Sequence, residues 1–398
     1  MASAQRPFRP IDFKTRFPAL DGIRAFAVLM IFFHHFGGGA HGGRVLSSLN
    51  ELRMRGWVGV DLFFALSGFL ITGILFDTRA DSHFFLRFYV RRSLRIFPVF
   101  YLTLLILLLL TPVFHYRWRW PHLAFPLYLG NFWGNADLSL YDIPSPNHPA
   151  AKLFLGHFWS LFVEEQFYLL WPLAVWFVRD RVRLLWTAAG LSLLALVLRS
   201  IEVALFPLSM AETWVFRTLP FRMDALLVGA ILALLLRGPD ADRWQRRSGP
   251  IALSASALVL QIFVLSPSYD SPWLLTVGLS LTPLASAGLI GMTLPAGEAL
   301  ERFFHLRPMR MLGRYSYGFY LFHTIYGWAW IQLLVTLSQR LHSIALAGVL
   351  ALAANFFVTF LVSKLSYDYF ERRFLVLKRG FEYDSEITEH KHAFSTAR

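Results

Sequence analysis

The chain has 398 residues, of which 56% are hydrophobic and only 16% charged, against about 25% charged in an ordinary soluble protein. That balance excludes a dispersed soluble domain and points to a helical membrane protein, and the absence of cysteine excludes disulfides, thiolate metal sites and a cysteine nucleophile. The net charge of +13 invites a nucleic-acid reading, but the placement of the basic residues, taken up below, accounts for it without one.

Apolar runs of about 20 residues match the thickness of a hydrocarbon core. They predict an all-α, polytopic bundle of about ten spans, near residues 20–38, 57–76, 96–114, 157–178, 184–206, 215–236, 250–266, 273–294, 315–337 and 344–365. The N-terminal segment, residues 1–19, has no early apolar core and no small-residue cleavage pattern. It is expected to be a cytoplasmic segment, not a cleaved signal peptide.

The first span, LDGIRAFAVLMIFFHHF, begins with Asp21 and Arg24 and ends with His34 and His35. At about 100° per residue, Arg24 and His35 share nearly one face, Asp21 lies close to it, and His34 is turned away by about 80°. The rise of about 1.5 Å per residue sets His35 roughly 16 Å beyond Arg24, near mid-membrane. Ionisable groups are expensive there, and histidine exchanges a proton near neutral pH, so His35 is a candidate for chemistry. An interhelical hydrogen bond by His35 and a topology anchor at Arg24 fit the same spacing. The stretch GGGAHGG that follows contains GxGxxG at Gly37, Gly39 and Gly42. No strand precedes it and no helix clearly follows, so it reads as an outer loop and not as a dinucleotide site.

The second span, GWVGVDLFFALSGFLITGIL, carries Asp61 near its outer end and Ser67-Gly68 at about the depth of His35. Small residues suit close helix approach, and no GxSxG elbow supports a serine hydrolase. In FYVRRSLRIFPVFY, Arg92 and Arg95 lie one turn apart beside Arg91, where the third span begins. Such a fork can hold phosphates bidentately; it also fits a positive-inside anchor. Residues 115–156 hold Pro121, Pro126, Pro144, Pro146 and Pro149, with an apolar stretch HLAFPLYLGNF too short to span. A re-entrant or interfacial piece is expected.

The fourth span, HFWSLFVEEQFYLLWP, places Glu164 and Glu165 about two turns in from the outer side. Ser160, Glu164 and Tyr168 share a face at i, i+4 spacing, which His157 joins. In FRTLPFRMDALLVGA, Arg222 and Asp224 are placed to neutralise each other or to pair with the glutamates, with Arg217 close by. LGRYSYGFYLFH sets Tyr315, Ser316, Tyr317, Tyr320 and His323 along the ninth span. Such an aromatic stripe is commonly core or interface; Tyr317 and His323 are supporting candidates.

With the N-terminus inside and about ten spans, the clusters Arg87–Arg95, Arg179–Arg183, Arg243–Arg247, Arg302–Arg314 and Arg372–Arg379 all fall on the cytoplasmic side. Both termini are then cytoplasmic. The basic charge is topology, and no nucleic-acid partner is expected. The end of the chain, residues 376–398, reads as a polar cytoplasmic tail.

FPALDGIRAFAVLMIFFHH, GVDLFFALSGFLI, FYVRRSLRIFP, FWSLFVEEQFYLLWP, FRMDALLVGA and LGRYSYGFYLFH occur in this order. Together they resemble the acyltransferase-3 family of integral membrane acyltransferases, from about residue 17 to 375. The family's first-helix motif, an Arg and a His with ten residues between them, is similar to Arg24 and His35. Its RxxR motif corresponds to Arg92 and Arg95, and its acidic residue after an SL dipeptide to Glu164. The resemblance implies a transmembrane acyltransferase domain over 20–375 in a bacterial cytoplasmic membrane. It implies transfer of an acyl group, commonly acetyl, from acyl-CoA as co-substrate to a hydroxyl of a carbohydrate or of a glycosylated or polyketide small molecule. No permanently bound cofactor and no metal are implied. The extra span and appended SGNH-type domain of larger members are expected to be absent.

On this reading His35 is general base or acyl carrier, and Glu164 binds acceptor hydroxyls or orients the histidine. Arg24 orients the donor or keeps His35 neutral. Arg92 and Arg95, with Arg91, hold the donor's phosphates. Asp61, Ser67, Arg222, Asp224, Tyr317 and His323 give support. A proton-coupled transporter or flippase with His35, Glu164 and Asp224 as its relay is the alternative. The Arg92/Arg95 fork separates the two, since a CoA enzyme needs it and a relay does not. The soluble acyltransferase HxxxxD motif is absent.

Overall fold

The computed structural model describes residues 17–36, 50–133, 140–142, 152–265, 271–295 and 297–383. The N-terminal segment up to residue 16, the glycine-rich stretch with Gly37, Gly39 and Gly42, Pro144, Pro146 and Pro149, and the tail beyond residue 383 lie outside the described residues.

Helices follow one another as α1 (Pro18–His35), α2 (Val58–Asp77), α3 (Phe84–Leu109), α4 (Phe158–Phe177), α5 (Arg181–Leu205), α6 (Leu208–Arg217), α7 (Leu219–Leu235), α8 (Ala241–Leu265), α9 (Leu279–Thr293), α10 (Arg307–Phe322), α11 (Gly327–Leu341) and α12 (Ile344–Ser366). Short helical turns lie between several of them. Among the described residues, six helices are long and apolar enough to cross a membrane, or seven if the bent pair α6–α7 counts as one span. The protein is a helical, multi-pass membrane protein. Its termini follow ordinary helix physics. Asp21 stands in the first turn of α1 and the two histidines in the last, the charge order that a helix dipole favours. Asp180 caps α5 by accepting from the Arg183 amide at 2.8 Å.

Three expected spans are built differently. The third was expected from residue 96, with its arginines where the span begins; α3 begins at Phe84, so Arg87, Arg91, Arg92 and Arg95 all stand on the helix. The sixth is two helices bent by 44°, because Thr218 adopts an extended backbone between them and Pro220 follows in the first turn of α7. The ninth, expected to run unbroken over 315–337, stops at Phe322 and restarts at Gly327. There the backbone bonds tighten from His323 N–H to Phe319 O into Ile325 to Phe322 and Gly327 to Thr324.

The chain divides into two compact units, one of residues 1–27, 60–74 and 177–314, the other of 28–59, 75–176 and 315–398. In the first unit, Ala19, Leu20, Ile23 and Ala27 of α1 pack with Leu62, Ala65, Leu66 and Phe69 of α2, Leu232 and Ala233 of α7, and Ala287 and Ile290 of α9. The helices approach closely where side chains vanish. A Cβ on Gly68 would strike the Leu226 carbonyl, and one on Gly229 the Ala65 carbonyl. This is the small-residue contact typical of membrane helices, and it supports a packing reading for the Ser67-Gly68 step, where Ser67 is buried.

In the second unit, the stretch between α3 and α4 does not span. It forms 3-10 turns at Trp120–Leu127 and Gly130–Phe132 and a small antiparallel sheet in the order β1 (Tyr116–Arg117), β2 (Leu140–Asp142), β3 (Lys152–Leu153), a departure from the expected all-α description. Gln166 of α4 pins it by donating to Tyr128 O and Asn131 Oδ1, both at 2.9 Å. Phe125 and Phe162 close over Gly130.

Candidate functional site

The second unit gathers most of the ionisable residues singled out above. The last turn of α1 gives its two histidines different partners. His34 Nδ1 lies 2.9 Å from Met54 O. His35 Nδ1 lies 3.0 Å from Ile31 O and 3.2 Å from His323 Nε2. The break between α10 and α11 brings His323 there, with its Nδ1 at 2.7 Å from Tyr320 O. His157, just before α4, sets its ring 5.1 Å from that of His323. Its Nδ1 meets Thr324 Oγ1 at 2.6 Å and its Nε2 meets Leu321 O at 3.1 Å. Tyr320 donates to His157 O at 2.7 Å and shares a hydrogen bond with Ser160.

From Ser160 the line continues up one face of α4 in four-residue steps. Tyr168 donates to Glu164 Oε1 at 2.9 Å, and Arg92 of α3 donates to the Tyr168 hydroxyl, with its guanidinium 4.1 Å above the Tyr168 ring. The face of His157, Ser160, Glu164 and Tyr168 is therefore a polar seam between the histidines and the arginines, bonded at its two ends and joined between Ser160 and Glu164 by their shared face. Glu165 stands beside it. Its Oε1 is buried without a hydrogen-bond partner among the described residues, as are Arg92 Nε and the Tyr128 hydroxyl.

The arginines diverge. Arg95 is exposed and Arg92 half-buried. Arg91 donates to Phe381 O at 3.2 Å and stacks on Tyr383. Lys378 lies within the field of all three, making a four-cation cluster. Tyr317 donates to Ile96 O at 3.0 Å, one residue beyond Arg95.

The first unit holds the other candidates, engaged with one another. Arg24 pairs with Asp21 at 2.5 Å, one turn earlier on α1. Arg222 and Asp224, expected to neutralise each other or to pair with the glutamates, take other partners. They stand two residues apart on α7 and therefore point to different neighbours. Arg222 pairs with Asp61 of α2, whose other oxygen accepts from Thr282 at 2.6 Å. Asp224 receives a bidentate Arg199 from α5 at 2.9 and 2.7 Å, and Ser280 at 2.8 Å. Both pairs are buried.

Sequence reasoning passed over Arg199, although an arginine inside an apolar helix such as LSLLALVLRSIEVAL is itself a signal. It also used His157 only as a face-mate of Glu164, and it did not separate Glu165 from its neighbour.

The seam is a candidate site of histidines, carboxylates and arginines in a helical membrane protein. The chain belongs to the acyltransferase-3 family, whose acyltransferase domain it matches over residues 17–367. It is 28% identical to the peptidoglycan O-acetyltransferase OatA of Listeria monocytogenes, over 92% of this chain and 56% of that protein. It is 29% identical to the putative peptidoglycan O-acetyltransferase YrhL of Bacillus subtilis, over 89% and 54%. It is 27% identical to the O-acetyltransferase OatA of Staphylococcus aureus, over 77% and 50%. The chain thus spans about half the length of the curated relatives it matches. No solved structure matches it significantly. The transporter alternative finds no support in these relatives.

Proposed function

We propose that this chain is a membrane-embedded O-acyltransferase that moves an acyl group, acetyl by the names of its relatives, from acyl-CoA to a carbohydrate hydroxyl. The observation that carries the reading is the polar seam that joins His35, through His323 and His157, to Glu164, Tyr168 and Arg92. A donor with an anionic head and a thioester tail matches a seam with cations at one end and imidazoles at the other. On this reading the chain crosses a bacterial inner membrane about ten times, with both termini and the arginine clusters in the cytoplasm. Peptidoglycan, on which the relatives from Listeria and Bacillus are named as acting, is the acceptor class proposed first.

Arg95, Arg91 and Lys378 hold the donor's phosphates, and Arg92 passes their field inward through Tyr168 to Glu164. His35 acts on the acyl group, either by taking the acceptor's proton, a step typically worth about 10²–10⁴-fold, or by carrying the acyl group itself. Glu164 is held by Tyr168, so Glu165, with its open buried oxygen, joins it as a partner for acceptor hydroxyls. Tyr317 ties the arginine end of α3 to α10. Arg24, neutralised by Asp21, steadies the start of the helix that carries His35. Asp61, Arg222 and Asp224, with Ser67, build the scaffold.

The experiment is free-CoA release from acetyl-CoA by the purified protein in detergent, with wild type, His35→Ala and Arg95→Ala. Release that needs His35, with a raised KM in Arg95→Ala, supports the reading. Neither binding nor release of CoA by the wild type overturns the donor.

A further inference from the structure

We propose that His323 is the positioning residue of His35: it accepts the His35 Nδ1 proton in a hydrogen bond, fixes that ring's tautomer and leaves Nε2 as the reactive nitrogen. This rests on the acyl-transfer reading above and deepens it.

A carbonyl oxygen can only accept a hydrogen bond, and a neutral imidazole has one N–H and one lone pair. Each ring in the pair has its Nδ1 against a carbonyl. His323 Nδ1 is 2.7 Å from Tyr320 O, so Nδ1 carries the hydrogen and Nε2 carries the lone pair. His35 Nδ1 is 3.0 Å from Ile31 O, so it too carries the hydrogen, and its Nε2 is bare. The 3.2 Å contact between His35 Nδ1 and His323 Nε2 is then an N–H facing a lone pair. Two backbone carbonyls decide the direction of a side-chain hydrogen bond. The His35 proton is shared between Ile31 O and His323.

The surroundings hold His323 in that state. Its ring is 1% exposed, whereas His35 is exposed and reachable. His157, behind it, is occupied on both nitrogens, by Leu321 O and by Thr324 Oγ1. The tightened backbone after Phe322 places His323 at the end of α10, where its side chain can turn toward α1. A neutral imidazole does here what a carboxylate does beside a catalytic histidine in water-exposed sites. An ionised carboxylate at membrane depth is expensive.

The step balances as follows. The acceptor's O–H proton passes to His35 Nε2 as its oxygen bonds to the thioester carbonyl carbon. The C–S bond breaks and its electron pair leaves with sulfur. Meanwhile the Nδ1 proton moves toward His323 Nε2, so the positive charge is spread over two rings. Return of the Nε2 proton to the thiolate gives free CoA and neutral His35.

The test uses the full chain in detergent with His323→Phe, which removes the acceptor, and His323→Gln, which keeps an oxygen in its place. His323→Phe should lower kcat for CoA release from acetyl-CoA by about 10²-fold or more with KM unchanged. His323→Gln should recover about tenfold or more of that loss. Equal losses in both variants, or a loss confined to KM, would overturn the proposal. Independently of activity, ¹⁵N NMR of histidine-labelled wild type should show His35 protonated at Nδ1 and scalar-coupled across the hydrogen bond to His323 Nε2. An Nε2–H tautomer at His35 would overturn it even if His323→Phe failed to fold. Wild type that releases no CoA but shows the coupling would overturn the donor assignment alone.

Discussion

The two units bury charge in opposite ways. In the first, both oxygens of Asp61 and both of Asp224 are bonded, and each carboxylate faces a guanidinium of its own. Among the described residues, the leftover buried groups there include spare nitrogens of Arg199, Arg222 and Arg310 and the Gln245 Oε1. In the second unit the polar groups form a seam, with imidazoles at one end, cations at the other, and a buried Glu165 oxygen with no partner among the described residues. Buried ion pairs are costly to assemble and costlier to break from one side, so they serve a scaffold. Groups left with open valences cost stability in the resting protein and are the ones a substrate can satisfy. The difference teaches where to look for chemistry in a chain with ionisable residues on many helices.

Substitutions can break this contrast. The largest effect is expected at His35→Ala, which should cut CoA release by about 10³-fold while the melting curve in detergent stays close to wild type; a matching fall in stability would make His35 part of the scaffold. Next, Asp224→Ala leaves Arg199 buried and unpaired and should destabilise by about 3–5 kcal/mol, read by denaturant unfolding in detergent. The surviving folded fraction should keep its specific activity within about threefold; a selective loss of turnover would return Asp224 to the relay reading. Gly68→Ala drives a Cβ into the Leu226 carbonyl and should cost about 1–3 kcal/mol through helix separation, seen as a lowered Tm. The smallest effect belongs to Tyr168→Phe. It removes the neutral hydroxyl that accepts from Arg92 and donates to Glu164. It should raise KM for acetyl-CoA more than it lowers kcat, and an unchanged KM would cut the seam between Tyr168 and the arginines.

Much of the helical order was legible, because apolar runs of membrane length leave the backbone no alternative to a helix. Described helices stand at each of the expected spans. Their ends were less legible. Arg92 and Arg95 read as a fork at the very start of the third span because charge usually marks a span's edge, yet α3 extends beyond its apolar stretch. The break at His323 left no trace in the pattern: YGFYLFHTIYGW keeps its aromatic period through the turn, and no proline interrupts it. Of the candidate site, His35, Glu164 and Arg92 were visible as ionisable residues in apolar company. Their neighbours were not, since Arg92 and Tyr168, or His35 and His323, are joined by contacts that no local period encodes.

By itself the sequence determined that this is a helical membrane protein, that it resembles the acyltransferase-3 family, and which buried residues were too expensive to be accidental. Those conclusions follow from composition, spacing and motif order, which are properties of the chain before it folds. Only the tertiary structure decided that Asp61 pairs with Arg222 and Asp224 with Arg199, that Glu164 is engaged while a Glu165 oxygen is open, and that His323 faces His35. Each of these depends on the direction a side chain takes from its helix and on which backbone carbonyl it meets, and those directions exist only once the helices have packed.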